Sequence, residues 1–185
     1  MKKILSIALV IATTTVLIAD NDRDEYEEKK FNTKYKLSTL KNSSEVTLYK
    51  SECASCHMAY QPEFLPKRSW RKMMSSLNNH FGVDATLEKS DEVKILNFLE
   101  KNSADSKRLY GEFEEFFESI PKNKTPLKIS DIPYFKKEHR KIPKKVISQK
   151  EVKTISNCIA CHKDANTGTY SERAIDIPNY GRWDD

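Results

Sequence analysis

The sequence has few of the residues that build turns and large apolar interiors. Among its 185 residues are only four glycines and two tryptophans, and hydrophobic residues make up 38% of the chain against 32% charged residues. So little apolar side chain predicts a thin polypeptide core, and we expect a bound group to fill part of the interior. No segment alternates apolar and polar residues as a half-buried strand does, which favours a mainly α-helical chain with little or no sheet.

Long hydrophobic runs are missing except at the N-terminus. Lys2 and Lys3 precede an apolar stretch that ends near Ala19, and acidic residues begin at Asp20. This pattern predicts a secretory signal peptide over residues 1–19, hence a periplasmic protein without stable membrane insertion once the signal is removed. An uncleaved N-terminal anchor is the alternative. The modest formal net charge of +5 argues against nucleic acid as a partner.

Cysteine is scarce, and both pairs occur in the same short motif. The four cysteines form two Cys-x-x-Cys-His motifs. In this motif two thiols form thioethers with the vinyl groups of a porphyrin and the following histidine binds its iron, so the sequence predicts two covalently bound haem c groups. The motif residues are Cys53, Cys56, His57, Cys158, Cys161 and His162.

Other chemistries of paired cysteines explain the pattern less well. A zinc site built from two Cys-x-x-Cys pairs places them about 15–20 residues apart, whereas Cys56 and Cys158 are separated by a far longer stretch. A redox-active disulfide lacks the thioredoxin-like strand and helix around it. Two structural disulfides remain possible from the number of cysteines. None of these alternatives explains a histidine after each pair.

The chain contains only four histidines, and two of them lie outside the motifs. If His80 and His139 complete the coordination of the two irons, all four histidines are used and both haem groups are bis-histidine. Nearness in sequence pairs His80 with His57 and His139 with His162, although a crossed pairing stays open. The alternative for His80 is packing on the core, and for His139 a position on a charged, solvated surface.

Apolar spacing and helix-breaking residues divide the chain into five parts and predict six helices. The parts are the signal peptide 1–19, a polar arm 20–43, an N-terminal haem lobe 44–120, a linker 121–128 and a C-terminal haem lobe 129–185. The helices begin near Ser44, Ser69, Ser90, Ser106, Pro133 and Ser148.

Three of these helices carry specific expectations. The one from Ser69 directs Trp70, Met73, Met74, Leu77, His80 and Phe81 inward and stops at Gly82. The one from Ser90 ends near Asn102 with Val93, Leu96 and Leu99 inward. The last starts at a capping box of Ser148 and Glu151 and runs through Val152, Ile155 and Ile159 into the second motif.

Residues 53–85 and 129–178 resemble the bacterial dihaem cytochrome c family of the DHC type. The resemblance is carried by both motifs and by residues that stand in order after the first, namely Tyr60-Gln61-Pro62, Leu65-Pro66, Trp70 and His80-Phe81-Gly82. It covers about residues 49–178 and is weakest before residue 44 and over residues 110–126. It implies a small, mainly helical, two-lobed periplasmic electron carrier with two covalent haem groups, each with histidine on both sides.

The expected function is therefore low-potential electron transfer, since two histidine ligands lack the methionine that raises the potential of other cytochromes. A dihaem peroxidase or small-molecule reductase with one open-coordination haem is the alternative. It needs an acid or base above the iron, and Glu63 and Glu138 qualify only by proximity, so we expect an electron carrier rather than an enzyme.

Partners are expected among periplasmic and membrane redox proteins. The resemblance implies a small monohaem cytochrome and a membrane b-type cytochrome. Between Tyr134 and Lys153, eight basic residues stand beside the second motif, and such a run either steers an acidic partner or only keeps the surface soluble.

Overall fold

The computed structural model describes residues 43–106, 109 and 111–183, and these fold into seven short α-helices joined by turns. The predicted signal peptide and all but the last residue of the polar arm lie outside the described residues. No helix in the described part is long and apolar enough to cross a membrane. The helices are α1 (Ser44–Cys53), α2 (Lys67–Met74), α3 (Lys89–Asn102), α4 (Glu112–Glu118), α5 (Pro133–Glu138), α6 (Lys144–Ile147) and α7 (Cys158–Cys161).

Extended pairing in the described residues is limited to three isolated bridges, so the expectation of a mainly α fold with little or no sheet is confirmed. Five 3-10 turns connect the helices. The bridges join His80 to Val83, His162 to Ile175 and Ile177 to Gly181. The turns span Pro62–Phe64, Leu77–Asn79, Ile129–Asp131, Ala165–Thr167 and Glu172–Ala174.

Helix α1 begins at Ser44 as predicted and leads into the first motif. Ser43 caps it, because its Oγ accepts a hydrogen bond from the Val46 amide at 3.4 Å. Val46 and Tyr49 face the core, and the Tyr49 hydroxyl donates to the Tyr60 carbonyl at 2.7 Å. The helix ends at Cys53, so the first cysteine leaves the helix C-terminus and the rest of the motif follows in a turn.

The predicted helix from Ser69 to Phe81 is wrong in both bounds. Helix α2 already begins at Lys67 and ends at Met74, where the Ser75 hydroxyl donates to the Lys72 carbonyl at 2.9 Å. Serine side chains that bond the backbone in this way compete with helix continuation. His80 therefore stands after the helix, in a bridge with Val83. Phe81, expected inward, is 53% exposed and has a positive φ of 55°.

Helix α3 has the predicted bounds but a different buried face. Ile95, Phe98, Leu99 and Asn102 are buried at the spacing of one helical face and pack toward α1 and α2. Val93, expected inward, is 47% exposed. It lies two residues before Ile95, which is about 200° around the helix and therefore on the opposite side.

Aromatic residues join α4 to the turn after the first motif. The ring of Phe64 lies 4.9 Å from that of Phe113 and 5.2 Å from that of Phe116, between ring centroids. The helix predicted over 106–120 is shorter in the structure, beginning at Glu112 after Gly111, whose φ of 58° departs from helical geometry. Residues 107, 108 and 110 lie outside the described residues.

The same apolar cluster continues across the predicted linker. Residues 121–128 contain no helix, while Ile132 and Phe135 beyond them belong to the core that includes Val46 and Leu99. The division into an N-terminal and a C-terminal lobe at this linker stays a prediction.

The capping-box helix predicted from Ser148 is wrong. Helix α6 ends at Ile147 and turns follow, with Lys153 at a positive φ of 65° that no helix interior adopts. The Asn157 side-chain amide donates to the Val152 carbonyl at 3.1 Å and closes this loop. Only Cys158–Cys161, a single turn, is helical in the second motif.

Replacing Leu99 by alanine tests the observed face of α3. Leu99 is 1% exposed, so Leu99→Ala should lower the free energy of unfolding by about 2–5 kcal/mol. The matched change Val93→Ala on the exposed side should stay within about 0.5 kcal/mol. Urea unfolding of both variants in one oxidation state measures the difference. Equal losses would contradict the orientation of α3.

Candidate functional site

The first site forms where α1 ends. Beyond Cys53 the chain turns through an exposed Cys56 to His57, whose Nδ1 donates to the Met58 carbonyl at 2.7 Å. With Nδ1 carrying the proton, Nε2 is the ring nitrogen left to bind a metal. The ring of Tyr60 stacks on His57 with centroids 4.9 Å apart, which fixes the orientation of the imidazole.

His80 faces His57 across this site. The two ring centroids are 6.1 Å apart and the rings are inclined by 29°. Because an imidazole nitrogen bonds a metal at about 2.0–2.1 Å, two rings on opposite sides of one metal have centroids about 6 Å apart. Backbone hydrogen bonds in both directions between His80 and Val83, at 2.8 and 3.2 Å, hold His80 in this position.

The second site repeats the arrangement inside a cavity. Cys158, Cys161, His162 and His139 all line it, and the His139 and His162 rings are 6.2 Å apart between centroids, at 59°. His139 follows the last residue of α5, where its Nδ1 donates to the Phe135 carbonyl at 2.9 Å. The ring of Phe135 stacks on His139 at 3.9 Å, and this contact holds the imidazole over the cavity.

The remaining wall of the cavity is mostly apolar and suits a flat, largely apolar ring system. Its side chains include Phe113, Phe116, Ile142, Val146, Ile155 and Ile177. The buried Nδ1 of His162 has no hydrogen-bond partner among the described residues, and the Tyr170 ring meets the His162 ring edge-on at 5.5 Å. Two thiols on the wall and two facing imidazoles fit a haem c group.

Burial favours the neutral form of three of the four facing histidines. It lowers the pKa of His162 to about 4, with the nearby His139 as a smaller cause, and it lowers the pKa of His139 and of His80. A neutral imidazole is the form that binds a metal. Burial also raises the pKa of the Cys53 and Cys158 thiols to about 11, so neither is a thiolate in the unmodified chain.

The rival interpretations of the cysteines receive no support from the geometry. No group of three or more His, Cys, Asp or Glu in the described part of the chain is arranged to hold a metal ion directly. All four cysteines carry free thiols, so neither of the two structural disulfides is formed.

A carboxyl group that the sequence did not point to also lines the second cavity. Burial, and to a smaller extent the charges of Glu172, Glu115 and Glu138, raise the pKa of Glu112 to about 7. The side chain is accessible from the cavity, yet protein surrounds it closely enough for this effect. Of the two acids proposed by proximity, Glu138 lines the cavity and Glu63 is buried in the turn before α2.

Sequence reasoning also missed the aromatic residues that orient the histidines. Phe135 could have been found, because it lies four residues before His139 and therefore on the same side of a helix. Tyr60 and Tyr170 could not, since each lies outside a helix, and no helical spacing therefore predicts its contact with the nearby His57 or His162.

The chain is similar to solved dihaem cytochromes. A diheme cytochrome c from Rhodobacter sphaeroides shares 36% identity over 67% of this chain and 95% of that chain, with a TM-score of 0.61. One from Shewanella baltica shares 30% identity over 77% of this chain and all of that chain, with a TM-score of 0.62. Comparison with curated protein sequences found no match.

The family profile of the dihaem cytochromes c matches residues 49–170. This segment is more than half of the chain and contains both motifs and both facing histidine pairs. The chain belongs to the dihaem cytochrome c family, electron-transfer proteins that carry two covalently bound haem c groups.

Proposed function

We propose that this protein is a periplasmic, low-potential electron carrier in which both haem groups are bound by two histidines. The observation that carries the proposal is the facing of two histidine rings in each site, at 6.1 and 6.2 Å between centroids. The haem irons supply the one-electron redox chemistry, and the chain supplies attachment, axial ligands and insulation.

Each residue of the two motifs has one role in this proposal. The cysteine thiols attach the porphyrins, and the histidine of each motif binds the iron from one side. The histidine outside the motif binds the same iron from the other side. The first site uses Cys53, Cys56, His57 and His80, and the second uses Cys158, Cys161, His162 and His139.

Histidine on both sides supports an electron carrier with a low potential. Methionine ligation raises the potential of cytochromes, but Met74 is buried in the core and Met73 packs against it. A ring on each side of the iron also leaves no position for a substrate, which disfavours the peroxidase or reductase alternative. The proposed periplasmic location rests on the signal-peptide pattern of residues 1–19.

Removing either histidine outside the motifs should leave one iron without its sixth ligand. His80→Ala and His139→Ala should each convert one of two haem groups from low-spin to high-spin and allow it to bind carbon monoxide, because the sixth ligand is lost. Visible spectra of the reduced proteins with and without carbon monoxide measure both changes.

Met73→Leu is the control for this test. It removes the sulfur of a partly buried methionine on α2 and should leave both haem groups low-spin. Strong carbon monoxide binding by the unaltered protein would mean an open iron and would favour the enzyme alternative.

Cysteine replacement should remove one haem group at a time. Paired Cys158→Ser and Cys161→Ser changes should leave a chain that carries a single covalent haem, since the first motif is independent. Mass spectrometry of the denatured protein and a pyridine haemochrome assay count the attached groups. A denatured wild-type chain with the mass of bare polypeptide would refute covalent attachment at both motifs.

The partner surface that we propose is a basic face on α5, α6 and the turn between them. It consists of Lys136, Lys137, Arg140, Lys141, Lys144 and Lys145, all exposed. The opposite side of this segment, with Phe135, His139 and Val146, lines the second cavity. An acidic redox protein docked here would be separated from the second haem by a single layer of chain, and its approach would be steered by charge. The sequence resemblance suggests a monohaem cytochrome or a membrane b-type cytochrome for this role.

Steering by the basic face predicts a salt-dependent rate. Oxidation of the reduced protein by anionic ferricyanide, followed by stopped flow, should slow as ionic strength rises, because salt screens the attraction. Lys144→Glu should slow oxidation by ferricyanide several-fold at low salt. The matched charge reversal Lys101→Glu, on exposed α3 surface, should change it little. Rates that are independent of ionic strength would eliminate the steering role.

A further inference from the structure

A set of buried and partly buried hydrogen bonds connects the segment after the first motif to both sides of the second motif. The Tyr60 hydroxyl donates to the Ser156 carbonyl at 2.8 Å, just before Cys158. The Gln61 side-chain amide donates to the Ala165 carbonyl at 2.8 Å, just after His162. The Tyr170 hydroxyl donates to Oε1 of Gln61. Residues about a hundred positions apart are thereby tied together.

Two of these residues, Tyr60 and Tyr170, contact the motif histidine of each site. Tyr60 stacks on His57 with ring centroids 4.9 Å apart, and Tyr170 meets His162 edge-on at 5.5 Å. Gln61 lies between them, bonded to its neighbour Tyr60 through the backbone and to Tyr170 through its side chain. A continuous series of contacts therefore leads from His57 to His162.

Gln61 is an unusual residue for this interior position. It is 2% exposed in a chain whose core is otherwise mostly apolar. The oxygen and the nitrogen of its side-chain amide each have a hydrogen-bond partner, which removes the free-energy cost of burying these polar atoms. A fully satisfied buried polar network fixes one geometry, whereas apolar packing alone tolerates small displacements.

We propose that Tyr60, Gln61 and Tyr170 form an inter-site bridge that fixes the spacing and orientation of the two haem groups and thereby sets the rate of electron transfer between them. The inference rests on the proposed ligation of His57 and His162. The three bridge residues are positioning residues, since none of them binds iron.

The step that the bridge supports is a simple one. The haem groups that His57 and His162 would hold would supply the exchange of a single electron, so the bridge residues would have to move no atom or proton. The bridge hydroxyls keep their protons throughout, because burial raises the pKa of Tyr60 to about 12 and that of Tyr170 well above its ordinary value. Electron tunnelling weakens steeply with distance, so a small loosening between the sites slows it.

Tyr170→Phe is the most conservative test. It removes the hydroxyl bonded to Gln61 and keeps the ring against His162 and Phe64. We expect the exchange of electrons between the two sites of half-reduced protein to slow several-fold. Exchange spectroscopy of the haem methyl protons measures this rate, and its independence of protein concentration identifies the intramolecular part.

Two further variants separate a shared bridge from independent effects. Gln61→Leu, which removes both of its side-chain bonds, should slow exchange at least as much as Tyr170→Phe. The double variant should be no slower than Gln61→Leu alone, because the two side chains act through one bond. Tyr180→Phe, which removes an exposed hydroxyl outside the bridge, should exchange at the wild-type rate.

The readouts distinguish failure of the bridge from failure of the proposed function. Two covalent haem groups and low-spin spectra in Tyr170→Phe, together with slower exchange, support the bridge. Wild-type exchange rates in both Tyr170→Phe and Gln61→Leu would overturn it. Loss of haem or a high-spin signal in Tyr170→Phe would also overturn it, because the residue would then serve ligation. High-spin haem in the unaltered protein would instead contradict the proposed ligation.

Discussion

The opposition of two histidine rings in each site is the constraint on which the rest of the structure depends. Centroid separations of 6.1 and 6.2 Å require each pair to be held from two separate segments of the chain. Short segments of the chain hold the second histidine of each pair. His80 stands in a β-bridge beyond α2, and His139 directly follows α5. Nδ1 of His57 and Nδ1 of His139 each donate to a carbonyl oxygen, which leaves Nε2 as the ring nitrogen available to a metal.

The two sites share this constraint but differ in surroundings. Cys56 and His57 are exposed, whereas the second pair lines a largely apolar cavity bordered by Glu112 and Glu138. Solvent exposure, nearby charge and hydrogen bonding all tune the potential of a haem iron. Under the proposed ligation we therefore expect the two haem groups to differ in reduction potential.

Sequence reasoning succeeded where a local signal determined the structure. Apolar spacing placed the start of α1 near Ser44 and the bounds of α3 near Ser90 and Asn102, and the Cys-x-x-Cys-His motifs identified the family. It failed where a local signal met a competing interaction. Serine side chains end α2 early, and the positive φ of Lys153 interrupts the capping-box helix. Contacts between distant segments, such as Gln61 with Tyr170, have no local signal at all.

The distribution of apolar residues indicates that the segment after Phe135 depends on its haem group. The main hydrophobic cluster runs from Val46 to Phe135, and beyond it only Val146, Val152, Ala165 and Ile177 are buried apolar residues in the described part. Four small or medium side chains cannot order a segment of this length. A group that binds only the folded form stabilises that form. The second haem group and the hydrogen bonds from Tyr60 and Gln61 therefore together hold the C-terminal segment against the N-terminal part of the chain.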